Sequence, residues 1–163
     1  MEKLIITAAI CGAEVTKELN PNIPYSINEI GREAELAYNA GASIIHLHVR
    51  EDDGTPTQNI DRFKAFIEEI KNRCPDVIIQ PSTGGAVGMS NKERLQPIYL
   101  EPPPEMATLD CGTCNFGGDE IFINTENTII EFAKKMNELG IKPELECFDK
   151  VMLDMALKLH DKG

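Results

Sequence analysis

The amino-acid sequence predicts an α/β fold on a parallel sheet and, within that class, the first five βα units of a TIM (β/α)8 barrel. Three observations carry this. Short apolar runs alternate five times with segments of helical periodicity, which is the order of a right-handed βαβ series. Polar loops follow each run. From the second strand onward, each strand has one apolar and one polar face. His46 and His48 oppose Ile45, Leu47 and Val49; Gln80 and Ser82 oppose Val77 and Ile79; Thr108 and Asp110 oppose Ala107 and Leu109; Glu144 and Glu146 oppose Leu145 and Cys147. A doubly wound sheet is covered by helices on both sides and reads apolar on both faces. A barrel keeps its helices outside and can hold a polar site at its C-terminal mouth.

The elements follow in order. Leu4 to Ile10 is a nearly continuous apolar run and reads as a buried parallel strand, followed by a loop through Asn20-Pro21-Asn22-Ile23-Pro24. Ser26 with Glu29 forms a capping box, and Ile27, Ile30, Ala34, Ala37 and Tyr38 continue at helical spacing until Gly41 stops the helix. Ser43 to Arg50 is the second strand, and Asp52-Asp53-Gly54-Thr55-Pro56 is a turn-rich loop whose acids read as solvated. Asp61 to Arg73 is a helix with Phe63, Phe66, Ile67 and Ile70 on one face. Val77 to Gln80 opens the third strand, and Lys92 to Tyr99 is a short helix. Glu105 to Asp110 is the fourth strand, and Cys111 to Thr125 reads as a long loop. Asn127 to Leu139 is a helix, Lys142 to Phe148 a fifth strand and Asp149 to His160 a fifth helix.

A complete barrel typically needs ~250 residues, and the chain has 163. Residues 1–163 are therefore expected to be the N-terminal part of a single barrel domain that lacks its C-terminal units. Hydrophobic residues make up 42% and charged residues 26%, the balance of a globular chain. The net charge of −11 argues against nucleic acid or an anionic membrane as a partner. Five cysteines at irregular spacing read as reduced thiols, which points to the cytoplasm. The apolar stretch at residues 1–13 has a signal-like look but reads better as the first strand, and no run approaches the ~20 apolar residues that span a bilayer.

The chemistry starts at His46 and His48. Alternate residues on a strand share a face, so one metal ion can be reached by both imidazoles from a rigid support. The competing reading is two polar side chains satisfied by solvent or hydrogen bonds. In Ser82-Thr83-Gly84-Gly85, a hydroxyl and exposed backbone amides can donate to an anion, and glycine lets a ligand approach the backbone.

Thr7-Ala8-Ala9, Glu14, His46-Leu47-His48-Val49-Arg50, Ser82-Thr83-Gly84-Gly85, Glu105-Met106-Ala107-Thr108-Leu109 and Asn115-Phe116-Gly117 stand in an order and spacing that resembles the β-keto acid cleavage enzymes. The resemblance runs along essentially the whole chain. It implies a (β/α)8 barrel, Zn2+, and an acyltransferase reaction in which a β-keto acid and acetyl-CoA give a new acyl-CoA and acetoacetate. Through it, His46 and His48 match two zinc ligands. Ser82 and the Gly84-Gly85 backbone match the carboxylate-binding loop, and Thr108 matches a substrate-contacting threonine. Glu14 and Glu146 match acids near the far end of the substrate, where two carboxylates could hold an ammonium group. An amino-substituted keto acid, 3-keto-5-aminohexanoate of lysine fermentation, is therefore expected, and so is a homo-oligomer.

The third ligand, an aspartate base and an arginine belong to late strands of the family. Residues 1–163 alone are accordingly expected to be inactive. Arg50 reads as a structural ion pair near the loop. Asp110 stands where an amide is common in the family, and Cys111-Gly112-Thr113-Cys114 departs from the family pattern and lacks the context of a redox or zinc motif. Two rival readings remain at this level. One is a zinc hydrolase on the same barrel with Glu14 as base. The other is an inert half-barrel that associates with another chain through exposed sheet edges.

Overall fold

The computed structural model describes residues 3–161, with the side chains of residues 116 and 117 outside that description. The first two residues of the signal-like stretch, the Phe116 and Gly117 side chains of the Asn115-Phe116-Gly117 motif, and the chain end at Gly163 thus lie outside the described residues.

In order, the elements are β1 (Thr7–Ala9), α1 (Ile27–Asn39), β2 (Ile44–Leu47), β3 (Val49–Arg50), β4 (Pro56–Thr57), α2 (Ile60–Arg73), β5 (Ile78–Pro81), α3 (Asn91–Arg94), a 3-10 turn (Gln96–Tyr99), β6 (Met106–Asp110), β7 (Cys114–Gly117), β8 (Glu120–Phe122), α4 (Glu126–Glu138), β9 (Lys142–Glu146) and α5 (Lys150–Asp161). β1, β2 and β5 form one parallel sheet, in which Ala9 pairs with His46 and His46 with Gln80. β6 and β9 form a second parallel pair, with Asp110 opposite Glu146. β6 lies alongside β5, and the two are tied where Thr83 donates its hydroxyl to the Thr108 carbonyl at 2.7 Å. The result is a mixed α/β fold with a row of five parallel strands. The described strands do not close on themselves, and β1 and β9 stand at the two ends.

Local chemistry starts each helix. Ser26 accepts from the Glu29 amide while the Glu29 carboxylate accepts from the Ser26 amide, the reciprocal cap read in the sequence. Asn59 caps α2 through its side-chain oxygen, and Thr125 caps α4. The apolar stripes then meet the outward faces of the strands. Ile30, Ala34, Phe63, Phe66 and Ile70 pack on Ile45, Leu47 and Ile79. Ile129, Phe132 and Met136 pack on Ala107 and Leu109. Each of the Ile, Leu, Phe and Met side chains among them contributes about 1.5–3 kcal/mol by leaving water. The two core clusters hold the outer surface of the row, so the polar face of every strand is turned the other way.

α1 and α2 approach closely at Gly31. A Cβ there would lie 2.6 Å from Cγ of Glu69. Around that gap Arg73 pairs with Glu69 at 2.6 Å and with Glu35 at 3.0 Å.

Four sequence expectations change. The first strand is shorter than the apolar run, since only Thr7–Ala9 pair and Leu4 is 83% exposed. An end strand with one neighbour has nothing to cover that stretch. The second strand breaks at His48, and its last two residues pair antiparallel with β4 instead. Among the described residues Arg50 makes no ion pair. It is 2% exposed and donates to the carbonyls of Gly12, Gly54 and Val15, with its guanidinium 4.7 Å from the Tyr25 ring centre. The segment read as a loop contains the hairpin β7–β8, turned at Gly118 with φ +55°. Asp52 and Asp53 behave as read: Asp52 is exposed and pairs with Arg62, and Asp53 accepts from the Thr55 amide.

Candidate functional site

The polar face converges at the C-terminal ends of the strands. A cavity of about 260 Å³ there is lined by Glu14, His46, His48, Ser82, Gly85 and Glu146 among others. These six are separated by up to 132 positions in the sequence, and the parallel row alone brings them together. Thr108 does not line this cavity. It is buried beneath the Ser82 loop, where its hydroxyl accepts from the Thr83 amide at 3.2 Å.

His46 and His48 lie with ring centres 5.0 Å apart and planes at 70°. Both are half-buried. The protein packed around them pushes both below the usual imidazole range. His48 falls to about 3 through burial, then through the positive charge of His46 and Arg50. His46 falls through burial, against the opposing pull of Gln80, Glu144 and Asp110. Neutral imidazoles are the form that ligates a metal. The donor set thus fits two positions of a divalent-metal site. Among the described residues no group of three His, Cys, Asp or Glu completes one.

Gln80 is fully buried and bridges the site. Its carbonyl oxygen lies 3.2 Å from Nδ1 of His46, and its amide nitrogen donates to Glu144 at 2.6 Å. The glycine loop beside it is ordered from within. Gly84 donates its amide to Oγ of Ser82 at 3.1 Å. Gly85 sits at φ +66°, a backbone conformation that requires glycine, and a Cβ there would also have to displace the Met89 thioether 2.8 Å away. Gln58 donates to the carbonyls of Ser82 and Arg94. Arg94 is 2% exposed, donates to the Thr83 carbonyl at 2.9 Å and to the Asn124 side chain at 3.2 Å, and lies between the Phe122 and Phe132 rings. Asn124 in turn donates to the Asp110 carbonyl.

The acidic side of the cavity is Glu146 with its register partner Asp110. Burial, then the neighbouring Asp110 and Glu144 charges, push the Glu146 carboxyl well above the ordinary carboxylate range. That is an electrostatic environment short of positive charge, and an ammonium group would relieve it. Glu14 faces the same cavity from the exposed loop after β1. Cys111 and Cys114 belong to a small apolar cluster with Met152. Burial and the adjacent Cys147 push the Cys111 thiol up, which keeps it protonated and unreactive.

Sequence reading missed Gln80, Glu144, Arg94, Gln58 and Asn124 as parts of the site. Strand parity put Gln80 and Glu144 on the right face without giving them a role. The partners of Arg94 lie 11 to 30 positions away, so no local pattern marks it. The hairpin had a signal in Gly117-Gly118-Asp119.

The chain is 71% identical over its full length to a 3-keto-5-aminohexanoate cleavage enzyme of Acetoanaerobium sticklandii, covering 59% of that protein. The same identity and coverage hold for a protein of that name from Fusobacterium nucleatum. It is 37% identical, over 98% of its length and 55% of the relative's, to the 3-oxoadipate:acetyl-CoA acetyltransferase of Cupriavidus necator. The chain thus spans a little under three fifths of the length of these curated relatives. In fold it resembles ObcA, solved as a ternary complex with a C4-CoA adduct and oxalate, at a TM-score of 0.76 and 22% identity, over 87% of this chain and 34% of that one. The family model for beta-keto acid cleavage enzymes matches residues 3–163. With a match that runs from the exposed first strand through the histidine pair to the last helix, the chain belongs to the β-keto acid cleavage enzyme family.

Proposed function

We propose that this chain carries the metal-binding and carboxylate-binding part of a zinc-dependent β-keto acid cleavage enzyme. The reaction takes a β-keto acid and acetyl-CoA to a new acyl-CoA and acetoacetate. The observation that carries the reading is one cavity lined by the two histidines, the Ser82–Gly85 glycine loop and the acidic side chains of Glu14 and Glu146. The 71% identical relatives, named for 3-keto-5-aminohexanoate, support that keto acid and hence a place in lysine fermentation.

His46 and His48 would hold the zinc ion, which when bound supplies Lewis acidity toward the keto and carboxylate oxygens. Ser82 donates its hydroxyl, and Gly85 its amide, to the substrate carboxylate. Thr108 holds the Ser82 loop at its working height from beneath, its hydroxyl accepting from the Thr83 amide and its carbonyl from the Thr83 hydroxyl. Glu146 and Glu14 take the ammonium end, which supplies the positive charge that the Glu146 environment lacks. The base, the arginine and the third ligand come from outside residues 1–163.

The same reading makes residues 1–163 the N-terminal part of a (β/α)8 barrel. Gln80 on β5 reaches Glu144 on β9 across the intervening β6, so the polar face of the row is concave. The apolar residues left exposed at both ends support completion by further barrel units and association into a homo-oligomer. A cytoplasmic location goes with the five free thiols.

The test is a chimera that joins residues 1–163 to the C-terminal part of the Acetoanaerobium sticklandii relative. Given 3-keto-5-aminohexanoate and acetyl-CoA, it should form acetoacetate, and Ser82→Ala should lower kcat/KM by about 10- to 100-fold, the loss of one charge-assisted hydrogen bond. Glu14→Gln should erode the preference for the amino substrate over a neutral keto acid. A folded, zinc-loaded chimera that forms no acetoacetate overturns the proposal.

A further inference from the structure

We infer that Gln80 and Glu144 form a two-residue relay that fixes the tautomer of His46, leaving Nε2 as its metal-binding atom. The inference rests on the proposed metal site. It goes beyond that site by assigning positioning roles to two residues that do not touch the metal.

Three contacts carry it. His46 and Gln80 are register partners on β2 and β5, which sets their side chains side by side on the inner face. Nδ1 of His46 and Oε1 of Gln80 are 3.2 Å apart. Nε2 of Gln80 lies 2.6 Å from Oε2 of Glu144. A carboxylate oxygen accepts, so Glu144 fixes the donor end of the amide toward itself. The planar amide then has one group left for His46, its carbonyl oxygen, which also only accepts. Nδ1 must therefore carry the proton, and Nε2 keeps its lone pair. The flipped amide would set the –NH2 group against Nδ1–H and the amide oxygen against the carboxylate. Gln80 is fully buried, so no water can soften either clash.

An imidazole free in water is not held to one tautomer. A ligand histidine normally has its second nitrogen bound to a carboxylate or a carbonyl, and loss of that partner costs about 10–100-fold in metal affinity. Here the carboxylate acts at one remove. The amide passes on its accepting character without bringing a negative charge into contact with the ring.

The relay is read directly by long-range 1H–15N correlation of the 163-residue chain with 15N-labelled histidine, stripped of metal, at a pH where the rings are neutral. Wild-type His46 should show a protonated Nδ1 and an unprotonated Nε2. Gln80→Leu should move it toward the Nε2–H form and, in the chimera that supplies the third ligand, weaken zinc binding, measured by competition with a chromogenic chelator, by about 10-fold or more. Glu144→Gln still offers an accepting oxygen and should keep both the wild-type tautomer and the zinc affinity. Glu144→Leu should give mixed tautomers. His46 in the Nε2–H form in wild type, or an unchanged tautomer in Gln80→Leu, overturns the inference. Wild-type Nδ1–H that depends on Gln80, together with a folded chimera that binds no zinc, upholds the relay and counts against the metal reading alone.

Discussion

Helices α2 and α5 are close in length and both amphipathic, yet they end in different states. α2 buries Phe63, Phe66 and Ile70 against two strands and a neighbouring helix. α5 buries Met152 and Ala156 and leaves Val151 75% exposed, with Leu153 and Leu157 also in solvent. The strands repeat the contrast. β2 has a neighbour on each side and is apolar and buried on its outer face, whereas β9 has one neighbour and is followed by an exposed Phe148. The difference lies in position along the row, not in sequence character. A βα unit is finished by the units beside it, and the two end units are finished on one side only.

The largest expected effect tests that contrast directly. Phe66→Ala should cost about 3–5 kcal/mol in denaturant unfolding, a buried aromatic lost with little collapse of the site. Leu157→Ala in the same chain should cost less than about 0.5 kcal/mol. In the chimera with the relative's C-terminal part, Leu157→Ala should become costly. Equal costs for the two substitutions in the 163-residue chain would break the comparison.

Next is Arg94, which links the Ser82 loop to the β7–β8 hairpin. Arg94→Met keeps the aliphatic stem between the two phenylalanine rings but strands the Thr83 carbonyl and the Asn124 oxygen. About 2–3 kcal/mol should be lost, with increased hydrogen exchange in both loops. Exchange confined to one loop would show that Arg94 does not couple them.

The two sides of the cavity respond to pH with opposite signs. His46 and His48 are depressed from 6.5, so below that pH the unfolded chain binds more protons and stability falls as acid is added. Glu29, held at about 2 by Lys17 and by backbone amides, acts in the same direction lower down. Glu146 is raised from 4.5, so its contribution is full below that pH and is lost as pH climbs. Between pH 4.5 and 6.5 the two effects oppose, two histidines against one carboxyl, so the metal-free chain should be most stable near the upper end of that window. Each limb has a slope of at most about 1.4 kcal/mol per pH unit for each group, less where solvent screens it. In the Glu146→Gln variant the alkaline fall should flatten, and an unchanged alkaline limb would reassign it to other groups.

The smallest effect is local. Ser26→Ala removes one half of the α1 capping box and should cost about 1 kcal/mol. An unchanged denaturation midpoint would mean that Glu29 alone secures the helix start.

What could be read from the sequence follows the same division. Helix starts were legible, because caps such as Ser26 with Glu29 are contiguous. Strand parity was legible, because a period of two needs no partner, and it put His46, His48, Ser82 and Glu146 on the inner face. The extent of the first strand was not legible. Leu4, Ile5 and Ile6 carry the composition of a buried strand, and their exposure depends on neighbours that sequence pattern does not count. Arg50 reads as an ion-pairing residue in sequence because its acceptors are the backbone carbonyls of Gly12, Val15 and Gly54, and backbone acceptors leave no trace in composition. Gln80 is the clearest case. Its role follows from Glu144, 64 positions later, and from a concave row of strands that brings the two within 2.6 Å.

The central claim is that the inner face of β2 carries the metal-binding half of a keto acid site, and zinc stoichiometry tests it most directly. The purified chimera should hold one zinc per chain by elemental analysis, and the His46→Ala/His48→Ala double variant, folded by circular dichroism, should hold none. One zinc per chain in both proteins would contradict the account.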